Sequence, residues 1–282
     1  MGALRIIPRL DVKGPNLVKG IHLEGLRVLG RPSDFARYYY ENGADELLFM
    51  DVVASLYERN SLHDIISETA ASIFIPFTVG GGLRSIDDMR EVLRAGADKV
   101  AINTAAIKNP GLVREASLIF GSSTIVVAIE AIRERDGRYL AYTDNGREHT
   151  GIEVVEWAKK VAELGAGEIL LTSVDREGTG EGFDIELVQK VSAAVDIRVI
   201  AHGGAGTVND IARLIEATDI EAFSVASMFH YHFLQGNQST VSTLEGNNEF
   251  LRKSSSSSKL IEPASIQEVK RELLKREIEC RI

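Results

Sequence analysis

The chain has little cysteine and no long apolar run. Cys280 is the one cysteine in 282 residues, so no disulfide can form within the chain. Stability must then come from a packed core, and unpaired thiols are typical of a reducing compartment. No stretch is apolar over the length that a membrane helix needs, and no secretory leader is visible. We therefore expect a cytoplasmic protein with no membrane partner.

An excess of positive charge is also missing. The chain holds 32 Lys and Arg against 41 Asp and Glu, a net charge of -9 at pH 7. Such a balance argues against general nucleic-acid binding, which needs a basic surface. A local basic site for a phosphorylated small molecule is still compatible with it. The hydrophobic content of 44% can supply a large core in one barrel domain.

The sequence does contain an internal repeat. Ile75–Ala106 predicts a strand, a glycine turn, a helix capped by Ser85, a second strand and a polar turn. Ile197–Met228 repeats this order near the other end of the chain. Each repeat therefore brings glycine amides and small polar groups to the same edge of a parallel sheet.

The rest of each half repeats too. Ala44–Ala54 resembles Ala166–Asp175, and Leu4–Asp11 resembles Ser123–Glu130. Each half then holds four strand-helix units, so the chain should hold eight. Eight such units predict an α/β fold, a single (β/α)8 TIM barrel domain over residues 1–282 with a two-fold half-barrel repeat. An open α/β sheet is the alternative, but it does not require two matching halves.

Three stretches interrupt the alternation. Lys13–Pro32 predicts a long glycine-rich loop, which in a barrel is more often a substrate lid than a plain turn. Arg133–Thr150 predicts a hairpin or an extended loop, with Asp136-Gly137 and Asn145-Gly146 as turn signals. The serine-rich segment at about 235–262 predicts a flexible surface insertion before the last helix.

Two acids stand at the predicted strand ends where barrel enzymes keep their chemistry. Asp11 ends the first strand, and Glu130 takes the same place in the second half. The repeat puts them on opposite sides of one opening, where two carboxylates can divide acid and base work. A single strand-end acid is as often a cap or an ion-pair partner. Lys19, Asp51 and Glu177 are secondary candidates, and each of them could instead fix a loop through an ion pair.

The repeat also predicts two phosphate sites, because oriented backbone amides at a helix start bind anions. Glycines that merely permit tight turns are the simpler explanation of each pair. The polar residues after the next strand favour binding. The two sites consist of Gly81 and Gly82 with Asn103 and Thr104, and of Gly203 and Gly204 with Ala226 and Ser227.

Four charged residues fall near the starts of strands, at the opposite end from these sites. They are Arg5, Glu46, Lys99 and Glu168. If they point inward, they form a ring of two cations and two anions that closes the barrel floor. Buried charges are costly unless paired and add little net stability. Such a ring could be a gate to the interior or a structural plug, and the residues alone leave both open.

Together these residues resemble the family of cyclase subunits of imidazole glycerol phosphate synthase. The resemblance covers nearly the whole chain except roughly Gln235–Glu262. It is carried by RIIPRLDVKGPNLVKG, ADELLFMDVVAS, IPFTVGGG, GADKVAINTAA, GAGEILLTSVDREGT and GGAG. The related phosphoribosyl isomerase barrel shares the half-repeat, but the charged ring and the NTAA turn favour the cyclase family.

The resemblance implies a function. A glutaminase partner would dock on the barrel floor, and its ammonia would pass the charged ring and travel along the barrel axis. At the far end it would meet a bis-phosphorylated ribulosyl formimino carboxamide ribonucleotide and give imidazole glycerol phosphate and an aminoimidazole carboxamide ribonucleotide. Asp11 and Glu130 would be the acid and base, and the glycine turns would hold the phosphates. No metal, organic cofactor or nucleic acid is implied.

The chain departs from the family pattern at four positions that face the substrate. Glu130 and Glu177 stand where the family has aspartate, Arg9 where it usually has cysteine, and His202 where it usually has serine. A carboxylate moved by about 1 Å can cost on the order of a hundredfold in rate. Arg9 and His202 are expected to add cationic donors that suit a more anionic substrate.

Three functions are therefore open at this point. The first is the cyclase of histidine biosynthesis, which the motif coverage favours. The second is a paralogue that channels ammonia for amidination of a bacterial surface sugar, which the four departures suggest. The third is a barrel without catalysis of its own that activates a glutaminase and conducts its ammonia to another protein.

Overall fold

The computed structural model describes residues 3–52, 63–236 and 260–281. The strands in these residues are β1 (Arg5–Lys13), β2 (Asn16–Ile21), β3 (Glu24–Gly30), β4 (Leu47–Asp51), β5 (Phe77–Gly80), β6 (Lys99–Ile102), β7 (Ile125–Arg133), β8 (Tyr139–Thr143), β9 (Glu148–Glu153), β10 (Glu168–Ser173), β11 (Arg198–His202) and β12 (Ala222–Val225). The helices are α1 (Pro32–Glu41), α2 (His63–Ala70), α3 (Ile86–Arg94), α4 (Thr104–Lys108), α5 (Gly111–Phe120), α6 (Val154–Glu163), α7 (Ile185–Ser192), α8 (Val208–Ala217), α9 (Ser227–Gly236) and α10 (Ile266–Lys275). No helix in these ranges is long and apolar enough to cross a membrane.

Eight parallel strands close into a barrel in the order β1-β4-β5-β6-β7-β10-β11-β12. Two pairings close the ring: Arg5 of β1 lies beside Ala222 of β12, and Glu168 of β10 lies beside Val126 of β7. Helices connect successive strands, which is the usual way to join parallel neighbours. The predicted (β/α)8 barrel is confirmed.

The half-repeat extends to the helix caps. Ser85 accepts a hydrogen bond from the Asp88 amide at the start of α3, and the Asp88 side chain bonds back to the cap. Thr207 and Asp210 make the same capping box at the start of α8. Each box satisfies amides that the first helical turn leaves unpaired. Helix start and glycine turn are therefore fixed alike in both halves.

Side chains alternate between two cores. Ile7, Leu48, Val126, Leu170 and Ile200 belong to a cluster inside the barrel. A larger cluster, including residues next to these in sequence such as Ile6 and Leu47, packs between the strands and the surrounding helices. A strand turns successive side chains to opposite faces, so each barrel strand is buried on both sides.

Two predicted loops are hairpins. The stretch Lys13–Pro32 forms β2 and β3, and β2 pairs antiparallel with β1, where Asp11 lies beside Val18. This pairing extends β1 to Lys13, two residues beyond Asp11, where the first strand was predicted to end. The stretch Arg133–Thr150 forms β8 and β9, which is the hairpin of the two predicted alternatives. Of the predicted insertion at 235–262, residues 237–259 lie outside the described residues.

Candidate active site

The carboxyl ends of the eight barrel strands meet at one end of the barrel, which we call the mouth. Asp11 lies near the end of β1, and Glu130 lies on β7, four strands away around the ring of eight. The two carboxylates therefore face the mouth from opposite sides. Both are buried, with 3% and 8% of their residue surface exposed. This is the arrangement that the repeat predicted.

Arg9 lies between these acids. Its Nε–H donates to Oδ1 of Asp11 at 2.8 Å, and both side chains are 3% exposed. Its Nη1 donates to Oγ1 of Thr172 on β10 at 3.4 Å. Burial lowers the pKa of Arg9, but the attraction of Asp11, Glu177 and Glu130 outweighs it, and the net shift is upward. The guanidinium is thus a fixed cation paired with Asp11.

Glu130 has a different environment. Its Oε2 accepts the backbone N–H of Gly146, from the turn between β8 and β9, at 2.8 Å. Burial raises the pKa of Glu130 to about 7, against the lowering effects of the Gly146 amide, Arg9 and Asn103. A carboxyl with such a pKa can either hold or release a proton near neutral pH.

Lys19 and Glu177 form a buried ion pair through Nζ and Oε1. Nζ of Lys19 also donates to the Gly20 carbonyl at 2.7 Å, and Oε2 of Glu177 accepts the Leu23 amide at 3.0 Å. Burial raises the pKa of Glu177, but Lys19 outweighs it and the net shift is downward. The pair fixes the β2–β3 hairpin to the loop after β10. An ion pair that fixes a loop was the alternative predicted for these two residues.

The first predicted phosphate site opens into a cleft of about 460 Å³. Asn103 and Thr104 also serve the β8–β9 hairpin, because Asn103 donates to the Tyr142 carbonyl at 3.2 Å and Thr104 accepts the Asp144 amide at 3.4 Å. The cleft carries cations, an acid of the mouth and small polar groups. Its walls include Asp51, Gly81, Gly82, Arg84, Asn103, Thr104, Lys108 and Glu130.

Backbone conformation and close neighbouring atoms require glycine at both sites. Gly81, Gly203 and Gly204 have φ values of 96°, 102° and 102°. A Cβ on Gly81 would lie 2.2 Å from the Asp51 carbonyl oxygen, and one on Gly203 would lie 2.6 Å from that of Ser173. The turn geometry alone therefore explains glycine here. Ala226 and Ser227 of the second site are buried where α9 begins.

His202 is not the cation that its residue type suggested. Its Nδ1 bonds the Ser224 carbonyl at 3.0 Å, and its Nε2 has no protein partner among the described residues. Burial, followed by the repulsion of Arg9, lowers the pKa of His202 to about 3. The imidazole is neutral at pH 7, so this expectation is wrong. Arg9 remains a cation, but its charge is paired with Asp11.

The four charged residues at the opposite end of the barrel, the floor, form a closed ring. Arg5 Nη1 lies 2.7 Å from both Glu46 Oε1 and Glu168 Oε1. Lys99 Nζ lies 3.1 Å from Glu46 and 2.8 Å from Glu168. Burial lowers the pKa of Arg5, but the attraction of Glu168 and Glu46 raises it by more, so the net shift is upward. The apolar cluster inside the barrel separates this floor ring from the mouth.

Comparison with known proteins gives the family. The model of a family described as "Histidine biosynthesis protein" matches residues 5–235. The chain belongs to this family. It is 59% identical over 210 residues to "Imidazole glycerol phosphate synthase subunit HisF" of Legionella pneumophila, which covers 74% of this chain and 99% of that protein. It is 49% identical over 228 residues to the subunit of that name from Alkaliphilus metalliredigens (strain QYMF), with 81% and 90% covered.

Membership of the histidine biosynthesis protein family confirms the resemblance found in the sequence. The matched region, residues 5–235, contains both acids, both glycine turns and the whole floor ring. Sequence reasoning missed several polar residues of this region, among them Arg84 and Lys108 in the cleft and Thr172 and Ser224 on the barrel strands. Alternation along β10 and β12 could have found the latter two, since Leu170 and Ala222 face the barrel interior two residues earlier.

Proposed function

We propose that the chain is the cyclase subunit of an imidazole glycerol phosphate synthase. The observation that carries the proposal is the pair of relatives with this name, at 59% and 49% identity over most of the chain. In this proposal the chain is a lyase that uses ammonia. It converts the bis-phosphorylated ribulosyl formimino precursor to imidazole glycerol phosphate and an aminoimidazole carboxamide ribonucleotide.

Asp11 and Glu130 would share the acid and base work. Ring closure with ammonia requires protons to leave the incoming nitrogen and to reach departing oxygen and nitrogen atoms. Two carboxylates on opposite sides of one mouth can serve both faces of a bound substrate. Their unlike surroundings, a guanidinium for Asp11 and a backbone amide for Glu130, support different roles for them.

The substrate would lie across the mouth with one phosphate at each glycine turn. The cleft at Gly81 and Gly82 supports this role best, because Arg84 and Lys108 line it together with Glu130. Phosphate binding there would set the substrate chain next to the acid. At Gly203 and Gly204 the phosphate would lie near the start of α9, whose amides point toward the mouth. Lys19 and Glu177 would border the substrate from the hairpin side.

Ammonia would come from a glutaminase subunit docked on the floor. The word "subunit" in the names of both relatives supports a partner of some kind. Two apolar side chains support the floor as its docking face: Phe74, which precedes β5, is 82% exposed, and Leu118, near the end of α5, is 79% exposed. The floor ring would act as a gate, and the apolar interior would favour neutral ammonia over ammonium.

The two other functions have less support. Neither of the two relatives is named for sugar amidination or for a non-catalytic role. Of the four departures that suggested the paralogue, His202 brings no charge to the mouth and Arg9 pairs with Asp11. The same substitutions are explained equally well by a cyclase in which they change the surroundings of the two acids.

The test is turnover by the purified chain. The bis-phosphorylated precursor is supplied with an ammonium salt at pH 8 and no partner, and the two products are separated by chromatography. We expect both products in equal amounts. Precursor left intact at high ammonium, by a folded chain, would contradict the proposal.

A further inference from the structure

Arg9 reaches into the middle of the barrel. It faces inward from β1, two residues after Ile7 of the interior cluster. Its Nη1 contacts Thr172 on β10, which is three strands away around the ring. Contacts with β1 and β10 at once require the guanidinium to lie close to the barrel axis, between the two acids of the mouth.

Arg9 interacts with the two acids in different ways. The bond from its Nε to Asp11 runs along one face of β1, and both partners are almost fully buried. Loss of the guanidinium would leave the Asp11 carboxylate buried without that partner, which is strongly unfavourable. Arg9 acts on Glu130 through space only, since the hydrogen bonds to Glu130 come from the Gly146 amide and the Asn103 side chain.

Four groups face Glu130, and they come from three elements. Arg9 faces it from β1, Asn103 from the end of β6, and Asp144 and Gly146 from the turn between β8 and β9. Arg9 is the one cation among these four groups, and Asp144 opposes it. The charge state of Glu130 thus depends on a guanidinium that is also hydrogen-bonded to Asp11.

We propose that Arg9 is a positioning residue that holds Asp11 as the base of the reaction and leaves Glu130 as its acid. This assignment rests on the proposed cyclase function. The ammonia nitrogen adds to the ketone carbon of the ribulosyl group, and the C=O π electrons move to oxygen. That oxygen takes the proton of Glu130, and the new nitrogen gives one proton to Asp11. The product is a neutral carbinolamine, and the single negative charge passes from Asp11 to Glu130.

The first test follows the Glu130 carboxyl directly. The infrared band of a protonated carboxyl is recorded against pH, and the band missing in Glu130→Gln is assigned to Glu130. In the parent protein we expect its midpoint near pH 7. In Arg9→Met, or in Arg9→Gln should the former not fold, we expect the midpoint to rise by about one unit or more, because a nearby cation is lost. An unmoved midpoint in a folded variant would overturn the proposal.

Two further variants separate positioning from packing. Arg9→Lys keeps the cation and should hold the midpoint within about half a unit of the parent value. Thr172→Val removes only the contact to β10, so its effect should be smaller than that of Arg9→Met. A residue that merely packs the interior would lower the melting temperature in Arg9→Met and Arg9→Lys alike without moving the midpoint.

Kinetics give the second test. With ammonium as nitrogen donor, the limb of the pH profile of kcat that reports Glu130 should shift in Arg9→Met by as much as the infrared midpoint. KM for the precursor should change less than kcat, since Arg9 is assigned no bond to substrate. Absence of turnover in every variant and the parent would refute the cyclase function, whereas the infrared titration would still decide the role of Arg9.

Discussion

Lys19 and Glu177 form a buried ion pair between the β2–β3 hairpin and the loop after β10. The pair joins residues 158 positions apart in the chain. It closes one side of the mouth, because both ends of the contact lie beyond the carboxyl ends of barrel strands. The ion pair thus joins the hairpin to the loop after β10.

Removing one partner of this pair should be more harmful than removing both. Lys19→Met or Glu177→Gln leaves a buried group unpaired, at a cost of about 3–5 kcal/mol in the free energy of unfolding. Lys19→Met combined with Glu177→Met should cost less than the sum of the single changes. Urea denaturation at pH 7 measures all three. Additive effects would show that the two side chains do not depend on each other.

Glu130 should make the protein less stable at high pH. Its folded pKa of about 7 lies above its ordinary value of 4.5, so the folded state holds the proton more tightly. Its contribution to stability is complete below pH 4.5 and is lost as the pH rises through 7. Glu130→Gln should therefore raise the free energy of unfolding at pH 8, by on the order of 3 kcal/mol, and not at pH 4. Exposed Glu115→Gln is the control, and an equal effect in both variants would contradict the assignment.

Two buried histidines should make the protein sensitive to acid. Burial lowers the pKa of His202 and of His230 to about 3, from 6.5. Their contribution is complete above pH 6.5 and is lost as the pH falls toward 3. Replacing His202 by Gln should reduce the slope of unfolding free energy between pH 4 and 6 by about 1.4 kcal/mol per pH unit. His63→Gln, at a side chain that is 57% exposed, is the control, and an equal change of slope in both variants would contradict the prediction.

Under the proposed function, the floor ring should matter for ammonia from a glutaminase subunit and not for ammonium in solution. Lys99→Met leaves Glu46 and Glu168 joined by Arg5 alone. With the glutaminase subunit and glutamine supplied, we expect product formed per glutamine hydrolysed to fall by about fivefold or more. Turnover with ammonium salt should stay within about twofold of the parent. An equal fall in both would make the ring a structural plug.

The repeat made most of the fold predictable. Matching glycine turns and helix starts in the two halves required eight similar units, and Ser85 was a visible cap for α3. The hairpin of β2 and β3 was missed for a local reason. Its turn has His22 and Leu23 at φ values of 54° and 62°, where hairpins usually carry Asn-Gly. Side-chain type therefore gave no turn signal.

The site was predictable as a set of positions but not as a set of charge states. Strand alternation put Arg9 and Asp11 on one face of β1, so their pairing was within reach of the sequence. The neutrality of His202 was not, because it depends on how completely β11 and β12 bury the ring. The raised pKa of Glu130 also comes from burial, by a hairpin that is close in sequence but whose packing no motif records.

In the proposed function, Asp11 and Glu130 face one mouth and perform the ammonia-dependent ring closure. The most direct measurement compares Asp11→Asn with the parent in the assay with precursor and ammonium salt, with Asp64→Asn as a control at a fully exposed carboxylate. We expect Asp11→Asn to lower kcat by about a hundredfold or more, with its fold unchanged by circular dichroism, and the control to match the parent. Full turnover by a folded Asp11→Asn protein would contradict the claim.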